Sequence, residues 1–298
     1  MLMHLMVRNV LVVALALLAF QLQAQDEEAE DSEPVSGLDL FDGDVEDTRS
    51  GWSQFSASLG LMKLGADGIF SVRLPSGKDI AIINFDRAGL DETDFSYWLS
   101  LTWRSANSRW GAWFGSWRYD VTGSRVWDGS LPIGGGEEIP AGASVTSVFD
   151  AQWFILEATY SFFRNETVDA GLGIGVQLVD LDTSIRAEFE FDGNETEIVS
   201  GDFDTLAPLP NVLAYVHWKF LPRWNLIARA GYFTLDYDKY SGSMTNANAM
   251  VSYSLTERWA LGAAYHFVDL DLDIDQTDYV KVYDIDFAGP MVFARIKF

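Results

Sequence analysis

The feature that most constrains this chain is the alternation of its last eleven residues, Ala288 to Phe298. Counting back from Phe298, the residues Ile296, Ala294, Val292 and Pro290 occupy every second position. Lys297, Arg295, Phe293, Met291 and Gly289 lie between them, so both basic groups fall on the other parity. A strand points successive side chains to opposite faces. One face of this segment therefore suits hydrocarbon, while the other carries charge.

The same alternation recurs from Gly51 onward. Phe55, Ala57, Leu59 and Leu61 oppose Ser56, Ser58 and Gly60. Phe95 to Trp103, Phe154 to Phe162, Val212 to Phe220, Leu226 to Tyr232, Ala249 to Leu255 and Trp259 to Phe267 repeat the pattern. In Val168 to Gln177, bulky apolar residues alternate with Asp169, Gly171, Gly173, Gly175 and Gln177. No helix pattern follows those glycines, so they fit a packed strand wall better than a phosphate-binding loop. Trp110 to Val121 reads as a strand of unassigned facing. The stretch 68–85, broken by Pro75 and Gly77, reads as an extra hairpin, an outer loop or a segment folded inward. The Gly-rich run through Gly136 and Gly142 and the acidic run Leu181 to Pro210 read as long connections.

Three short turns end alike: Arg109-Trp110, Arg223-Trp224 and Arg258-Trp259. Trp favours a membrane–water interface, because its ring is apolar and its N–H wants a polar partner. These three Trp, with Trp103, Phe163 and Phe220 ending the preceding strands, are expected to form one aromatic girdle.

The N-terminus reads as a cleaved leader, residues 1–24. Arg8 precedes an apolar run from Val10 to Phe20, and Ala24 suits cleavage. That run is far shorter than the roughly 20 residues a membrane helix needs. Residues 25–50 carry eleven acids against Arg49 alone and read as disordered, with a tether or a loose Ca²⁺ buffer as the functional alternative. The chain has no Cys, so neither disulfides nor thiolate chemistry enter. A formal net charge of −24 argues against nucleic acid as a partner.

The terminal strand, with its C-terminal Phe298, resembles the closing strand of bacterial outer-membrane β-barrels. The resemblance implies that Phe298, Ile296, Ala294 and Val292 form an assembly signal read by the barrel-assembly machinery. The expected fold is all-β: a closed antiparallel up-and-down transmembrane β-barrel over residues 51–298, with about ten strands, or eight if 51–92 contribute less. Short turns and both termini then face the periplasm, longer loops face outward, and the barrel is expected to be monomeric. Its expected surroundings are outer-membrane lipid and lipopolysaccharide in a Gram-negative envelope.

Chemistry is sparse. His217 and His266 follow the inward parity; His266 has no local Ser to complete a hydrolytic arrangement, and a polar network filling the lumen accounts for both, so catalysis is not expected. Asp269, Asp271, Asp273 and Asp275, with Asp284 and Asp286 on the return strand, continue the outward parity beyond the apolar stretch. They could hold Ca²⁺ or Mg²⁺ bridged to lipopolysaccharide, or simply keep a hairpin tip solvated. No other cofactor is expected. Trp98, Tyr215, Arg229, Phe293 and Arg295 point inward and should plug the lumen of so small a barrel. A structural or surface-binding role leads; a narrow solute channel and a lipid-modifying enzyme are the alternatives.

Overall fold

The computed structural model describes residues 54–74, 79–90, 93–106, 108–126, 131–134, 137–139, 141–191, 195–237 and 239–298. The expected leader, residues 1–24, and the acidic segment 25–50 lie outside the described residues.

The elements run β1 (Phe55–Arg73), β2 (Asp79–Asn84), α1 (Phe85–Ala88), β3 (Asp94–Arg104), β4 (Trp110–Val126), β5 (Leu131–Gly134) and β6 (Glu137–Ile139). They continue as β7 (Ser144–Arg164), β8 (Val168–Phe191), β9 (Glu195–Leu221), β10 (Trp224–Tyr237), β11 (Tyr240–Ser254), β12 (Trp259–Asp275) and β13 (Val280–Lys297). Ten of these strands, all but β2, β5 and β6, pair antiparallel with their chain neighbours, and β13 returns to β1. The result is a closed ten-stranded barrel. Its closing ladder runs from Ser56 opposite Lys297 to Arg73 opposite Val280, and Phe298 N–H donates to the Phe55 carbonyl at 2.9 Å.

Alternation decides which way each side chain points. Near the short turns, Leu59, Leu61, Leu156, Ile174, Val212, Leu261 and Val292 are exposed on the outer wall. Their sequence neighbours Ser58, Glu157, Asn211 and Phe293 are buried inside, as is Arg295 two residues past Phe293. Farther along the same strands the sense reverses. Asp182, Asp269 and Asp271 are exposed, while Leu181, Leu270 and Leu272 are buried. β4 resolves in the same way, with Trp117, Tyr119 and Val121 buried and Arg118 and Asp120 exposed.

Two expected connections are strands instead. β8 and β9 stay in register from Val168 opposite Trp218 to Phe191 opposite Glu195, so within the acidic run the residues 181–191 and 195–210 are barrel wall. Ser144 to Ala151, expected as connection, pairs with both β4 and β8. Outward acids give β8 and β9 a loop-like composition, but Val179, Leu181, Ile185, Ala207 and Leu209 alternate with them and fill the interior, as Val145 and Phe149 do on β7. The stretch 68–85 is also settled. β1 runs on to Arg73, β2 folds back on β1 from Asp79, and α1 turns inward so that Phe85 and Leu90 are fully buried, with 75–78 outside the described residues. Phe85 meets Phe149 edge-on at 4.8 Å, and the Tyr119 hydroxyl donates to the Leu90 carbonyl at 2.9 Å.

Candidate functional site

The lumen is built in three layers. Nearest the short turns, Asp169 is fully buried and accepts from Arg104 Nε at 3.0 Å and from the Tyr215 hydroxyl at 3.2 Å. Arg164 Nε lies 3.5 Å from the same carboxylate. Ser161 shares a 2.7 Å hydrogen bond with Tyr215 and accepts another from Arg164 at 2.7 Å. One step farther in, Arg229 forms an ion pair with Glu157 and lies over the Trp113 ring at 4.3 Å. Asn211 Nδ2 donates to Glu157 at 3.3 Å, and Arg295 Nε donates to Ser58 at 3.0 Å. A cavity of about 30 Å³ remains among Arg104, Arg229 and Arg295, room for about one water. The inward glycines of β8 make this packing fit. A Cβ at Gly171 would come 2.6 Å from the Tyr215 ring, and one at Gly175 would come 2.6 Å from Glu157 Cγ.

The second layer is aromatic and buried. Trp117 stacks on Trp153 at 4.2 Å and 9°, and Phe287 meets both rings edge-on. His266 sits between Trp98 and Trp117, its ring centre 5.3 Å from each. Beyond this layer the interior is an apolar core. Phe70, for example, lies 4.8 Å from Tyr283 and 5.3 Å from Phe203.

The two His keep different company in this arrangement. Among the described residues, neither ring nitrogen of His266 has a hydrogen-bond partner. His217 Nδ1 lies 3.2 Å from Arg104, and Ser161 is committed to Tyr215 and Arg164.

The outer wall of the far half carries carboxylates in transverse rows. Asp120, Asp150, Asp182 and Asp204 stand directly opposite one another on β4, β7, β8 and β9. Asp67, Asp286 and Asp269 do the same on β1, β13 and β12, with Asp284 opposite Asp271 in the next row. Of the six aspartates expected to gather, four thus form two facing pairs, while Asp273 faces Val282 and Asp275 faces Val280. Among the described residues no group of three or more His, Asp or Glu could hold a metal ion by itself.

Arg118 bridges Asp120 at 2.9 Å and Asp150 with paired hydrogen bonds. Partial burial and the charges of Asp150 and Asp204 push the Asp182 carboxyl above its ordinary range. Burial, with Asp284 and Asp269 beside it, does the same to Asp271. The row containing Asp120, Asp150, Asp182 and Asp204 was missed in the sequence. Its signal was there, since all four share the outward parity of their strands.

At the short-turn end, Trp110, Trp224, Trp259 and Phe163 are exposed on the outer wall, and Trp103 and Phe220 are half-buried. A bulge between Ser161 and Phe163 turns two consecutive rings, Phe162 and Phe163, outward. On β13 and the residue that follows it, Val292 is 61% and Phe298 73% exposed. Ala294 and Ile296 are half-buried.

Ten strands, full closure and an apolar outer belt over a polar lumen match one kind of known protein. The outer membrane protease OmpT from Escherichia coli superposes with a TM-score of 0.56 at 10% identity, over 82% of this chain and 96% of that one. The chain folds as a small bacterial outer-membrane β-barrel. Looser likenesses are Ail, the attachment invasion locus protein of Yersinia pestis, and Neisserial surface protein A. Ail has a TM-score of 0.31 at 11% identity, over 83% of this chain and 99% of that one. Neisserial surface protein A has a TM-score of 0.29 at 14% identity, over 83% and 98%. No family model matches the chain, and no curated protein matches it in sequence. This outer-membrane barrel therefore takes its architecture, and not its task, from the comparison.

Proposed function

We propose that this outer-membrane barrel is non-conducting and works through the acidic outer wall of its far half. Divalent cations there would tie its carboxylates to the phosphates of lipopolysaccharide. The short turns, with Trp110, Trp224 and Trp259, would face the periplasm. Phe298, Ile296, Ala294 and Val292 would serve as the assembly signal. The supporting observation is the row Asp120, Asp150, Asp182, Asp204. Like charges directly opposite across strands repel, and an oxygen-seeking cation relieves that repulsion. A cation bridging protein to lipid also fits a surface whose acids pair without forming a closed cage.

The test reads unfolding temperature in vesicles with and without lipopolysaccharide as Ca²⁺ is added. The wild type should gain stability only when both are present, and Asp150→Asn/Asp182→Asn/Asp204→Asn should lose that gain. A gain that survives the triple substitution overturns the reading. The narrow-channel reading has the aromatic layer of Trp98, Trp117, Trp153 and His266 against it. Stepwise conductance in planar bilayers would revive it.

A further inference from the structure

The barrel wall has a seam. β9 and β10 pair from Leu221 opposite Trp224, past a register shift before Leu226, up to Val212 opposite Tyr232, and there the pairing ends. Both strands continue. β9 stays paired with β8 through Asn211 and beyond, and β10 stays paired with β11 through Tyr237. The cause is legible in the sequence Pro208-Leu209-Pro210. Proline has no N–H to donate, so within sheets it is confined to edges, bulges or strand starts. Two prolines over three residues turn this part of β9 into an edge facing β10. Across the gap, the Tyr240 hydroxyl reaches the Leu206 carbonyl at 3.4 Å.

On the outer wall the seam opens into a groove of about 820 Å³. Leu156, Ile174, Val176, Pro210, Val212 and Tyr232 form its sides, all within the apolar belt. Its floor is Asn211 and Phe233, inward residues of the two edges. Asn211 is buried, holds Glu157, and accepts from Asn246 Nδ2 at 3.5 Å. An apolar trough thus ends on the polar lumen network.

We infer that the seam binds one acyl chain of lipopolysaccharide, with the chain in the groove and its hydroxyl or amide linkage against the open strand edges. Three observations select this occupant. The groove lies in the lipid-facing belt, so hydrocarbon is what reaches it. Unpaired backbone groups at membrane depth are costly, and the missing proline donors leave acceptors in excess along the seam. A hydroxyacyl or amide-linked chain donates to such acceptors, whereas the ester linkages of a phospholipid only accept. An open edge can also template a strand from a second chain, but Pro208 and Pro210 remove two donors from that ladder. This inference is independent of the acidic outer wall.

The experiment places p-benzoylphenylalanine at Thr234, beside the groove, or at Ala249, on the outer wall of β11. The full chain is irradiated in nanodiscs containing lipid A and phosphatidylethanolamine. Lipid A should label Thr234 about tenfold more than Ala249, and Val212→Trp, which fills the groove, should remove that excess. Folding is checked by heat-modifiable gel mobility, with Ile174→Trp as the second groove-filling variant should the first not fold. Equal labelling at the two positions, or labelling indifferent to both tryptophans, overturns the site. A predominant phosphatidylethanolamine adduct overturns the ligand, and a crosslink to another copy of the chain overturns the lipid in favour of strand pairing.

Discussion

The two halves of the barrel use one set of strands with opposite polarity. Near the short turns, hydrocarbon-compatible residues stand outside, and Asp169, Glu157, Arg229 and Arg295 are held within. In the far half, aspartates stand outside and Phe70, Phe149, Leu270 and Ile285 fill the centre. On β12 both faces switch together. Tyr265 gives way to Asp269 outside and His266 to Val268 inside, without a break in the ladder to β13. Where the outer wall faces lipid, burying apolar groups inside gains little, and hydrogen bonds and ion pairs hold the interior. Where it faces water, the ordinary hydrophobic effect applies. The difference teaches that polarity along a strand reports the solvent outside it.

The sharpest way to break this comparison is to put a charge in each half. Leu270→Asp should cost about 4 kcal/mol or more and prevent folding, while Asp271→Leu, one residue along, should cost less than about 1 kcal/mol. Urea titration followed by gel mobility measures both, and equal tolerance would dissolve the distinction. In the other half, Glu157→Gln strands Arg229 in the lumen and should cost about 3–5 kcal/mol, most of it recovered by adding Arg229→Met.

A smaller effect comes from pH. Burial and neighbouring aspartates raise the folded-state pKa of Asp182, Asp271 and Asp286 above the ordinary 3.8. The folded barrel therefore holds more protons than the unfolded chain between 3.8 and those raised values, and stability falls as pH rises through them. Acidifying from neutral toward about pH 4 should raise the unfolding temperature of the far half, and Asp182→Asn/Asp271→Asn should flatten that response. The smallest expected effect is at the turn Pro222-Arg223, where Arg223 has φ of 71°. Arg223→Gly should stabilise the barrel by about 1 kcal/mol or less, read as a small shift in urea midpoint.

The near half was legible in the sequence because its strands alternate cleanly between short turns, as Val168 to Gln177 and the terminal strand do. The far half was not, because Asp180, Asp182, Asp202 and Asp204 give β8 and β9 the composition of a loop. Only parity separates Leu181 and Leu209 from the acids around them. The inward placing of His217 and His266 was readable. The company each keeps was not, since Trp98 and Trp117 come from other strands. The acid row on β4, β7, β8 and β9 depends on registers that no single strand encodes.

The far rim is also lopsided. β10 and β11 turn back at Tyr237 and Tyr240, whereas β8 and β9 stay paired out to Phe191 and Glu195. The molecule therefore has a tall side and a low side. Anything nearing that rim from the side meets a continuous wall on one bearing and a step down on the other, so the two sides differ in what can reach them.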